Sequence, residues 1–569
     1  MDEQRAVDEL YHAIMRGRMS RRDVLRRATA LGLAAPTVAA LLAACGGNAA
    51  TQPPGSASGS TASAGTTTSG TAPTANTANG VKGGTLKVAI IGEPPTLDLH
   101  WTTATIVGLI TWNIYEPLFT FDETFQVIPM LAESHDISAD KLTHTLHLRK
   151  GVPFHNGQEM KSADVVASIK RWATKQDLGK GLLAATDTIK EVDDSTIEFH
   201  MKEPYGTFES SLSFFYQGPA IYPKSVVDAA GSGQIKDFIG TGPYKFVERQ
   251  PDRFIRLARF PSYAALPGEP RGYGGHKYQY LDEMTFTPVG DEAARIAGIR
   301  AGDYQYLESV TSDQYETLKG DTNIAVDILP PSGWDTFVLN WKSPLMGNST
   351  IRQAFQAALN HGPILQAGWG EGFYRLGPSI MPKETAWYTE AGKDLYNRNA
   401  PDTAKQLLKE ANYDGTPLRF MTTKQYQQQY NNAIVGKQQL EASGFKVDLQ
   451  VSDWATLVDR RGKPDLWDVF TTGISFRPDP TQVAIMQLCS FPGWWCSAES
   501  QSLLSQLRHD ADFNTRFQTW EKLQKNFYKE VPMIKLGDTK SISVRAKKLQ
   551  GLSLQAQLGP ILWNTWLKS

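Results

Sequence analysis

The sequence is poor in cysteine and has no excess of charge of either sign. Only 3 of its 569 residues are Cys, which excludes the disulfide framework of a small secreted domain. The 58 Lys and Arg side chains nearly balance the 59 Asp and Glu side chains. A nucleic-acid-binding protein needs a positive field to displace counterions from phosphates, so this balance argues against nucleic acid as a partner. Length and composition predict a large globular protein of more than one domain.

The signatures of several large enzyme classes are also missing. There is no GxGxxG, GxxxxGK[ST], GxSxG, HExxH or CxxC motif, so the usual dinucleotide, nucleotide, serine-hydrolase, zinc-protease and zinc-ribbon sites are not indicated. His144 and His147 are the one close pair of histidines, but on a strand they face opposite sides of the sheet and cannot bind one metal. We therefore predict no catalytic residue, no metal and no cofactor.

The first 44 residues have the pattern of an export signal. Residues 20–25 (SRRDVL) resemble a twin-arginine signature, and the uncharged stretch 28–44 is too short and too rich in Ala for a membrane span. It ends in Leu42-Ala43-Ala44-Cys45, which resembles a lipobox. We predict a signal peptide over residues 1–44 and a lipid on Cys45 that anchors the protein to the membrane. The alternative is an ordinary signal-peptide site that merely ends near a cysteine.

Residues 45–80 are predicted to form a flexible tether. From Gly46 to Gly80 the chain has no charge and consists almost wholly of Gly, Ala, Ser, Thr, Asn and Pro. Such a segment buries too little apolar area to offset the entropy lost on ordering. As a random coil it would span about 30–35 Å.

The rest of the chain shows both helical and strand periodicity. Strands are predicted at residues 85–91, 142–148, 195–201 and 445–451 from buried or alternating patterns. Helices are predicted at residues 161–175, 351–359, 403–411 and 431–443, with Ser162, Ser349 and Asp402 as caps of the first three and Gly444 closing the last. A helix closed by Gly and followed at once by a strand is typical of an α/β unit, so we expect an α/β fold.

Cys489 and Cys496 are the two thiols left if Cys45 is lipidated. The Pro492-Gly493 turn between them brings their Cα atoms within bridging range, so a disulfide is expected outside the cytoplasm. The alternative, a catalytic thiol, needs a nearby base that the sequence does not show. Trp494 and Trp495 lie inside this loop, either as ordinary packing residues or as a rigid aromatic wall for a ligand.

The order of several motifs resembles one protein family, the solute-binding proteins of peptide and nickel ABC importers, extracellular family 5. The resemblance covers essentially the whole chain after the tether. The motifs that carry it are 83–89 (GGTLKVA), 93–98 (EPPTLD), 113–118 (NIYEPL), 148–157 (LRKGVPFHNG), 163–166 (ADVV), 240–244 (GTGPY), 338–340 (VLN) and 351–354 (IRQA).

The resemblance implies an α/β fold with two lobes, the class II periplasmic-binding-protein fold of the family 5 type, with an extra inserted subdomain. The chain would leave the first lobe near residues 334–341 and return near 532–537. The implied division is lobe I (domain I) at 81–112, 237–336 and 535–569, inserted domain II at 113–236, and lobe II (domain III) at 337–534.

The resemblance also implies a function outside the cytoplasm. The protein would be the substrate-binding lipoprotein of an ABC importer, which captures a peptide-like or other small polar solute in a hinged cleft and delivers it, as a monomer, to the permease and ATPase complex. It would not be an enzyme. Two alternatives stay open, namely a structural or sensory surface protein without a transporter and an anchored extracytoplasmic hydrolase.

Seven residues are expected to line the cleft. They are Trp334, Trp454, Ser475, Phe476, Arg477, Trp494 and Trp495. Trp454 ranks first among the tryptophans because its equivalent in peptide-binding relatives contributes to the ligand wall.

The cleft sequence departs from the family at the amine anchor. Peptide binders carry an aspartate shortly before the Asp/Glu-Pro pair, whereas residues 473–480 (GISFRPDP) are one residue shorter and offer Phe476 or Arg477 there. A ligand with a polar or anionic group at Arg477 is therefore expected, with weak dependence on a free amine. In the alternative, Arg477 points to solvent or to Asp479, and another acid such as Glu308 receives the amine.

Overall fold

The computed structural model describes residues 80–102, 104–213, 218–452, 454–553 and 559–568. The predicted signal peptide, Cys45 and nearly all of the predicted tether lie outside these residues. Within the described ranges, no helix combines the length and the apolar character needed to cross a membrane.

The strands are numbered in chain order. They are β1 Thr85–Ile90, β2 Phe119–Phe121, β3 Val127–Pro129, β4 Ala132–Ile137, β5 Thr143–Leu148, β6 Thr186–Asp193, β7 Thr196–Met201, β8 Tyr244–Gln250, β9 Phe254–Arg259, β10 Pro270–Arg271, β11 Gly274–Gly275, β12 Glu283–Pro288, β13 Tyr306–Val310, β14 Ile324–Ile328, β15 Gly333–Leu339, β16 Tyr374–Arg375, β17 Leu418–Thr423, β18 Val447–Ser452, β19 Val469–Ser475, β20 Met533–Thr539, β21 Ile542–Ala546, β22 Leu549–Gln550 and β23 Trp566–Leu567.

The helices are numbered in the same way. They are α1 Thr105–Thr111, α2 Ser162–Lys175, α3 Asp177–Ala185, α4 Phe208–Ser211, α5 Lys224–Ala230, α6 Glu292–Ala301, α7 Tyr315–Leu318, α8 Ser349–Ala358, α9 His361–Trp369, α10 Pro401–Glu410, α11 Gln427–Ala442, α12 Trp454–Arg461, α13 Ala498–His509 and α14 Phe513–Glu530.

The first lobe is built on a sheet with the strand order β14-β21-β13-β1-β12-β9-β8. Its central strand β1 runs parallel to both β12 and β13. Leu86, Val88, Ala89 and Ile90 of β1 are fully buried, because a central strand is covered on both faces. The sheet joins the beginning, the middle and the end of the described chain.

The second lobe is built on a sheet with the order β16-β20-β15-β19-β17-β18 and carries helices α8 to α14. All seven residues of β15 are buried, between the antiparallel neighbours β19 and β20. β15 begins at Gly333 and β20 ends at Thr539, so residues 329–332 and 540–541 connect the lobes. The chain thus crosses to the second lobe before residues 334–341, where the sequence placed the first crossing. It returns to the first lobe after residues 532–537, where the sequence placed the second.

A third sheet, β4-β5-β7-β6, packs against α2 and α3 around its own hydrophobic core. We call this sheet with helices α2 to α4 the small domain. A buried ion pair joins it to the first lobe, since the Arg171 guanidinium of α2 donates to both carboxylate oxygens of Asp98 at 3.0 and 2.5 Å. A bidentate, buried pair of this kind fixes orientation as well as position.

The predicted helices are present, but their caps differ from the prediction. Lys161, not Ser162, is the N-cap of α2, and the Asp164 carboxylate accepts from the Lys161 backbone N–H at 2.8 Å. α8 is capped by Asn348 rather than Ser349. α10 begins at Pro401, one residue before the predicted cap Asp402. Proline at the first helical position needs no backbone partner there, which explains the earlier start.

Candidate functional site

Two cavities meet beside the end of β19. The small chamber has a volume of about 210 Å³ and includes Arg461, Gly473, Ser475 and Arg477 in its lining. The large chamber has a volume of about 890 Å³ and lies between the small domain and the second lobe. Arg477 and Gln482 line both chambers, so the two chambers lie next to each other at these residues.

Local backbone structure brings Arg477 and Gln482 together. β19 ends at Ser475, whose partner in β15 is Gly333. A Cβ at Gly333 would lie 2.3 Å from the Ile474 carbonyl oxygen, so only glycine permits this close strand pairing. The chain then turns through a short 3₁₀ helix, Pro480–Gln482, capped by Asp479.

Phe476 and Arg477 lie in different surroundings. Phe476 is buried and packs edge-on against Phe125, with ring centroids 4.7 Å apart. Arg477 is half-buried, and its Nη1 donates to the Phe476 carbonyl oxygen at 2.9 Å. Of the two side chains that the sequence offered in place of the amine anchor, Arg477 is the one that lines the chambers.

Asp479 is held by other partners. Its Oδ2 accepts from Nη2 of Arg516 at 2.8 Å, and its Oδ1 accepts from the backbone and hydroxyl of Thr481 at 2.9 and 2.6 Å. Asp479 and Arg516 are both buried. This carboxylate therefore serves the turn and α14, and both of its oxygens are occupied.

Arg461 is a residue of the small chamber that the sequence analysis missed. It is the last residue of α12 and is half-buried, and burial lowers the pKa of its guanidinium. Among the described residues that line the small chamber, two are arginines and none is acidic. These two guanidinium groups are the charged groups of the described lining. The Arg460-Arg461 pair at the end of a helix was the only local signal, and it does not show which side chain faces a cavity.

The predicted tryptophans are dispersed. Trp334 and Trp495 are buried in the hydrophobic core, and the Trp495 Nε1 donates to Glu530 at 2.5 Å. Trp494 is half-buried beside Trp467, with ring centroids 5.7 Å apart. None of these three lines either chamber. The side chain of Trp454, the first residue of α12, lies outside the described part of the structure.

Comparison with known protein families identifies the chain. Residues 126–494 match the sequence model of the bacterial extracellular solute-binding proteins, family 5 Middle, which is more than half of the 569 residues. The chain belongs to this family.

Curated relatives resemble this solute-binding protein over most of their length. A probable peptide ABC transporter periplasmic-binding protein of Sinorhizobium fredii is 28% identical over 81% of this chain and 90% of the relative. The glutathione-binding protein GsiB of Pectobacterium atrosepticum is 26% identical over 82% of this chain and 90% of its own length.

Solved structures share the fold. The substrate-binding protein CtaP of Listeria monocytogenes matches with a TM-score of 0.75 and 21% identity, over 86% of this chain and 100% of its own. DppA of Helicobacter pylori, in complex with the peptide STSA, matches with a TM-score of 0.69 and 22% identity, over 86% and 99%. These likenesses confirm the predicted two-lobed α/β fold of a family 5 periplasmic binding protein.

Family membership confirms the predicted function class. The protein is an extracytoplasmic substrate-binding protein of an ABC importer and not an enzyme, so the hydrolase alternative is set aside. The structure describes no group of three or more His, Cys, Asp or Glu side chains placed to hold a metal ion, as far as the described ranges extend.

A disulfide lies at the edge of the site. Cys489 and Cys496 are bridged, with their Cα atoms 4.5 Å apart. Cys489 lines the large chamber, so the bridge supports one of its walls. The enclosed loop is also bound to the second lobe, because the Trp341 backbone N–H donates to the Gly493 carbonyl oxygen at 3.0 Å.

Two other groups singled out from the sequence lie elsewhere. Glu308 accepts from the Ile91 backbone N–H at 3.0 Å, burial raises the pKa of its carboxyl, and it lines neither chamber. His144 does not pair with His147. Its Nδ1 lies 2.9 Å from the Nε2 of His135 on β4, the strand that precedes β5 and pairs with it.

Proposed function

We propose that this solute-binding protein captures a peptide-like or other small polar solute through an anionic group that Arg477 holds. The observation that carries the proposal is the position of Arg477 at the junction of two chambers, next to the turn where peptide binders of the family have their amine-binding aspartate. A guanidinium forms two parallel hydrogen bonds to a carboxylate, which gives both binding energy and orientation.

The second arginine supports an anionic ligand. Arg461 and Arg477 both line the small chamber, and none of its described lining residues is acidic. A buried ammonium without a carboxylate would bear a desolvation cost of several kcal/mol. The same surroundings favour a ligand carboxylate, because two guanidinium groups lie in the chamber wall.

A free amine on the ligand contributes little in this arrangement. Asp479, the acid nearest in sequence to Arg477, already binds Arg516 and Thr481. Glu308 is held by the backbone of Ile91. Neither carboxylate lines a chamber, so neither takes the place of the family's amine anchor.

The names of the relatives agree with an anionic peptide. One relative is named for peptides and another for glutathione, a tripeptide with two carboxylates. Glutathione and short peptides are therefore the first probes to use, alongside opines, oligosaccharides and nickel chelates as other candidate solutes.

A thermal-shift screen tests the ligand class. Each peptide is offered in three forms, namely unmodified, N-acetylated and C-amidated. A ligand at 100 times its dissociation constant adds about 2.7 kcal/mol to stability, a shift that is easily measured. The unmodified and N-acetylated forms are expected to stabilise the protein about equally, and the C-amidated form to do so weakly. Loss of binding on N-acetylation, with amidation harmless, would overturn the proposed anion site.

Variants of neighbouring arginines assign the effect to the chambers. Arg477→Gln and Arg461→Gln remove charges that line the small chamber, whereas Arg460→Gln removes a charge from the same helix without touching either chamber. The first two are expected to weaken carboxylate binding at least tenfold and the third to leave it unchanged. Equal effects of all three would indicate a general field rather than a site.

Ligand binding is proposed to be coupled to closure of the lobes about the connections at residues 329–332 and 540–541. A closed surface that forms only with ligand gives the permease and its ATPase a signal that distinguishes loaded from empty protein. In the same proposal, the chain is divided into lobe I, lobe II and a domain II that is inserted into lobe I. The protein acts as a monomer.

Attachment to the membrane through a lipid on Cys45 completes the proposal. The twin-arginine motif at residues 20–25 and the lipobox at 42–45 support it. One acyl chain binds a membrane only marginally, so more than one is expected on this residue. Mass spectrometry of the native N-terminus is expected to find acylated Cys45 as the first residue. An unmodified start at another position would contradict the anchor.

A further inference from the structure

The Cys489–Cys496 disulfide connects two walls of the large chamber. Cys489 lies in the 3₁₀ stretch Ala484–Ser490, which we call the wall segment, and it lines the chamber. Cys496 lies two residues before the first residue of α13, and one face of this helix belongs to the same lining. The disulfide is therefore a covalent link between the wall segment and α13.

The two cysteines differ in exposure. Cys496 is exposed, whereas Cys489 is half-buried in the chamber wall. Exchange begins when a thiolate reaches one sulfur of a disulfide, so access selects the sulfur that is attacked. A thiol in solution is therefore expected to react at Cys496 and to displace Cys489.

The lining around Cys489 suits a leaving thiolate. The described lining of the large chamber includes the guanidinium groups of Arg477 and Arg508. Glu203, the acidic residue of the same lining, lies 3.4 Å from the imidazole of His509. Nearby positive charge favours the thiolate form of a cysteine, and a more stable thiolate leaves a disulfide faster.

The backbone close to both cysteines is strained. Leu488, next to Cys489, has a φ of 42° and a ψ of −105°. Trp494, two residues before Cys496, has a φ of 51°. Residues other than glycine rarely adopt positive φ, and they keep it only where the surrounding structure holds them there. A disulfide that holds strained backbone is reduced more easily than a relaxed one.

We propose that the Cys489–Cys496 disulfide is a site of thiol–disulfide exchange, where a small thiol opens the link and frees the wall segment from α13. This inference goes beyond the proposed function, because it needs no ligand at Arg477. The strands of the three large sheets lie outside residues 489–496, so the reduced protein is expected to stay folded. The wall of the large chamber loses the covalent restraint on its position.

The reaction balances in two steps. A thiolate attacks the Cys496 sulfur and forms a mixed disulfide with it. The Cys489–Cys496 bond breaks, and its electron pair leaves on Cys489 as a thiolate, which takes up a proton. A second thiolate attacks the sulfur of the first thiol and releases Cys496 in the same way. Two small thiols are oxidised to one disulfide, and the protein gains two electrons and two protons.

Trapping of the intermediates tests the exchange. The full-length protein is treated with 2-mercaptoethanol, a neutral thiol, then quenched with an alkylating agent and mapped by mass spectrometry. The mixed disulfide is expected on Cys496, followed by two free thiols, while circular dichroism stays that of the folded protein. A mixed disulfide on Cys489 alone, or reduction that occurs only on unfolding, would overturn the proposal.

Hydrogen exchange tests the effect on the chamber wall. Reduction is expected to speed amide exchange at least tenfold in the wall segment and in the first turn of α13, and to leave the central strand β1 and helix α2 unchanged. Cys489→Ser and Cys496→Ser are expected to show the same pattern without any thiol. Exchange that is unchanged everywhere, or that rises equally in β1 and α2, would contradict a local opening of the wall.

A matched pair of variants tests the role of the strained backbone. Leu488→Gly and Leu488→Ala both remove the buried side chain, but only glycine adopts the observed φ and ψ without strain. In one buffer of 2-mercaptoethanol and its disulfide, the ratio of reduced to oxidised protein is expected to be at least threefold lower for the Gly variant. Equal ratios, or a higher ratio for the Gly variant, would contradict a strained disulfide.

These assays contain no ligand, so they separate the inference from the proposed function. If the disulfide resists the thiol in the folded protein, the exchange site is wrong and the anion site at Arg477 is unaffected. If Arg477→Gln binds carboxylate ligands normally, the proposed function is wrong and the exchange site still stands on its own result.

Discussion

At the scale of single residues, the proposed preference for an anionic ligand depends on two arginines. Arg477 lines both chambers, and Arg461 lines the small one from another element. Asp479, the acid nearest to Arg477 in sequence, pairs with Arg516.

Sequence reasoning selected some of the residues that line the chambers, and their role in binding stays a prediction. Arg477 was predicted because it occupies a position where the family pattern is interrupted, and Ser475 was predicted as part of the same cleft-lining segment. Arg461 was missed because it reaches the chamber from another segment, α12, and Gln482 was missed because the turn that places it beside Arg477 has no periodic pattern. Trp495 was a candidate ligand wall, yet its ring is buried and its N–H is bound to Glu530. The presence of an aromatic residue in the sequence does not show whether its ring contacts a ligand or packs in the hydrophobic core.

Asp335 predicts a pH dependence of stability. This buried carboxylate accepts from Trp369 and Asn432 at 2.8 and 2.7 Å, and burial raises its pKa to about 6. The folded-state pKa lies above the unfolded value of about 3.9, so ionised Asp335 costs about 2–3 kcal/mol above pH 6, and this cost disappears as the pH falls from 6 to 4. Asp335→Asn keeps an acceptor oxygen and is expected to be more stable than wild type at pH 8 and similar at pH 4.

Urea unfolding at several pH values measures this difference between variant and wild type. Other titrating groups affect both proteins and cancel in the comparison. An advantage of Asp335→Asn that is the same at pH 4 and pH 8, or is absent at both, would refute the assignment of the raised pKa.

At the scale of elements, periodicity located helices and strands better than it located their ends. α11 was predicted and is present, but it starts at Gln427, four residues before the predicted start, because its first turn is polar and carries no apolar signal. α9 was not predicted, since Gly362 and Pro363 at its start are typical of loops. The Pro lies in the first turn, where no backbone N–H partner is required.

The disulfide loop gives a prediction for one element. The Cys489–Cys496 bridge closes a short loop and should stabilise the fold by about 2–3 kcal/mol through restriction of the unfolded chain. Cys489→Ser and Cys496→Ser are each expected to lose that amount in urea unfolding. A reducing agent should lower the stability of the wild type to the same level and leave both variants unchanged. Quantitative alkylation of both thiols in native protein would contradict the bridge.

At the scale of the whole molecule, the order of motifs predicted the two-lobed fold, since each motif occupies a fixed place in it. The docking of the small domain onto the second lobe was not predictable. That contact is made by backbone groups, such as the Gly206 N–H and the Arg508 carbonyl, and therefore leaves no pattern of residue types.

Gly206 tests whether this docking belongs to the closed, ligand-bound form. Gly206→Ala places a Cβ 1.6 Å from the Asp510 carbonyl oxygen, so the second lobe must stay away from the small domain. We expect a larger radius of gyration in small-angle scattering with saturating ligand and an affinity reduced at least tenfold. Gly320→Ala, where a Cβ meets nothing within 4 Å, is the control. A Gly206→Ala variant that closes as wild type does would contradict this account.

The central claim, that Arg477 holds a ligand carboxylate, is tested most directly by a double-mutant cycle measured by calorimetry. An N-acetylated hexapeptide with a free carboxylate and its C-amide are each titrated into wild type and Arg477→Gln. Close charge pairs at binding sites couple by about 1.5 kcal/mol or more, so amidation should weaken binding to the wild type far more than binding to the variant. A coupling energy near zero, with both changes acting independently, would show that Arg477 does not hold the carboxylate.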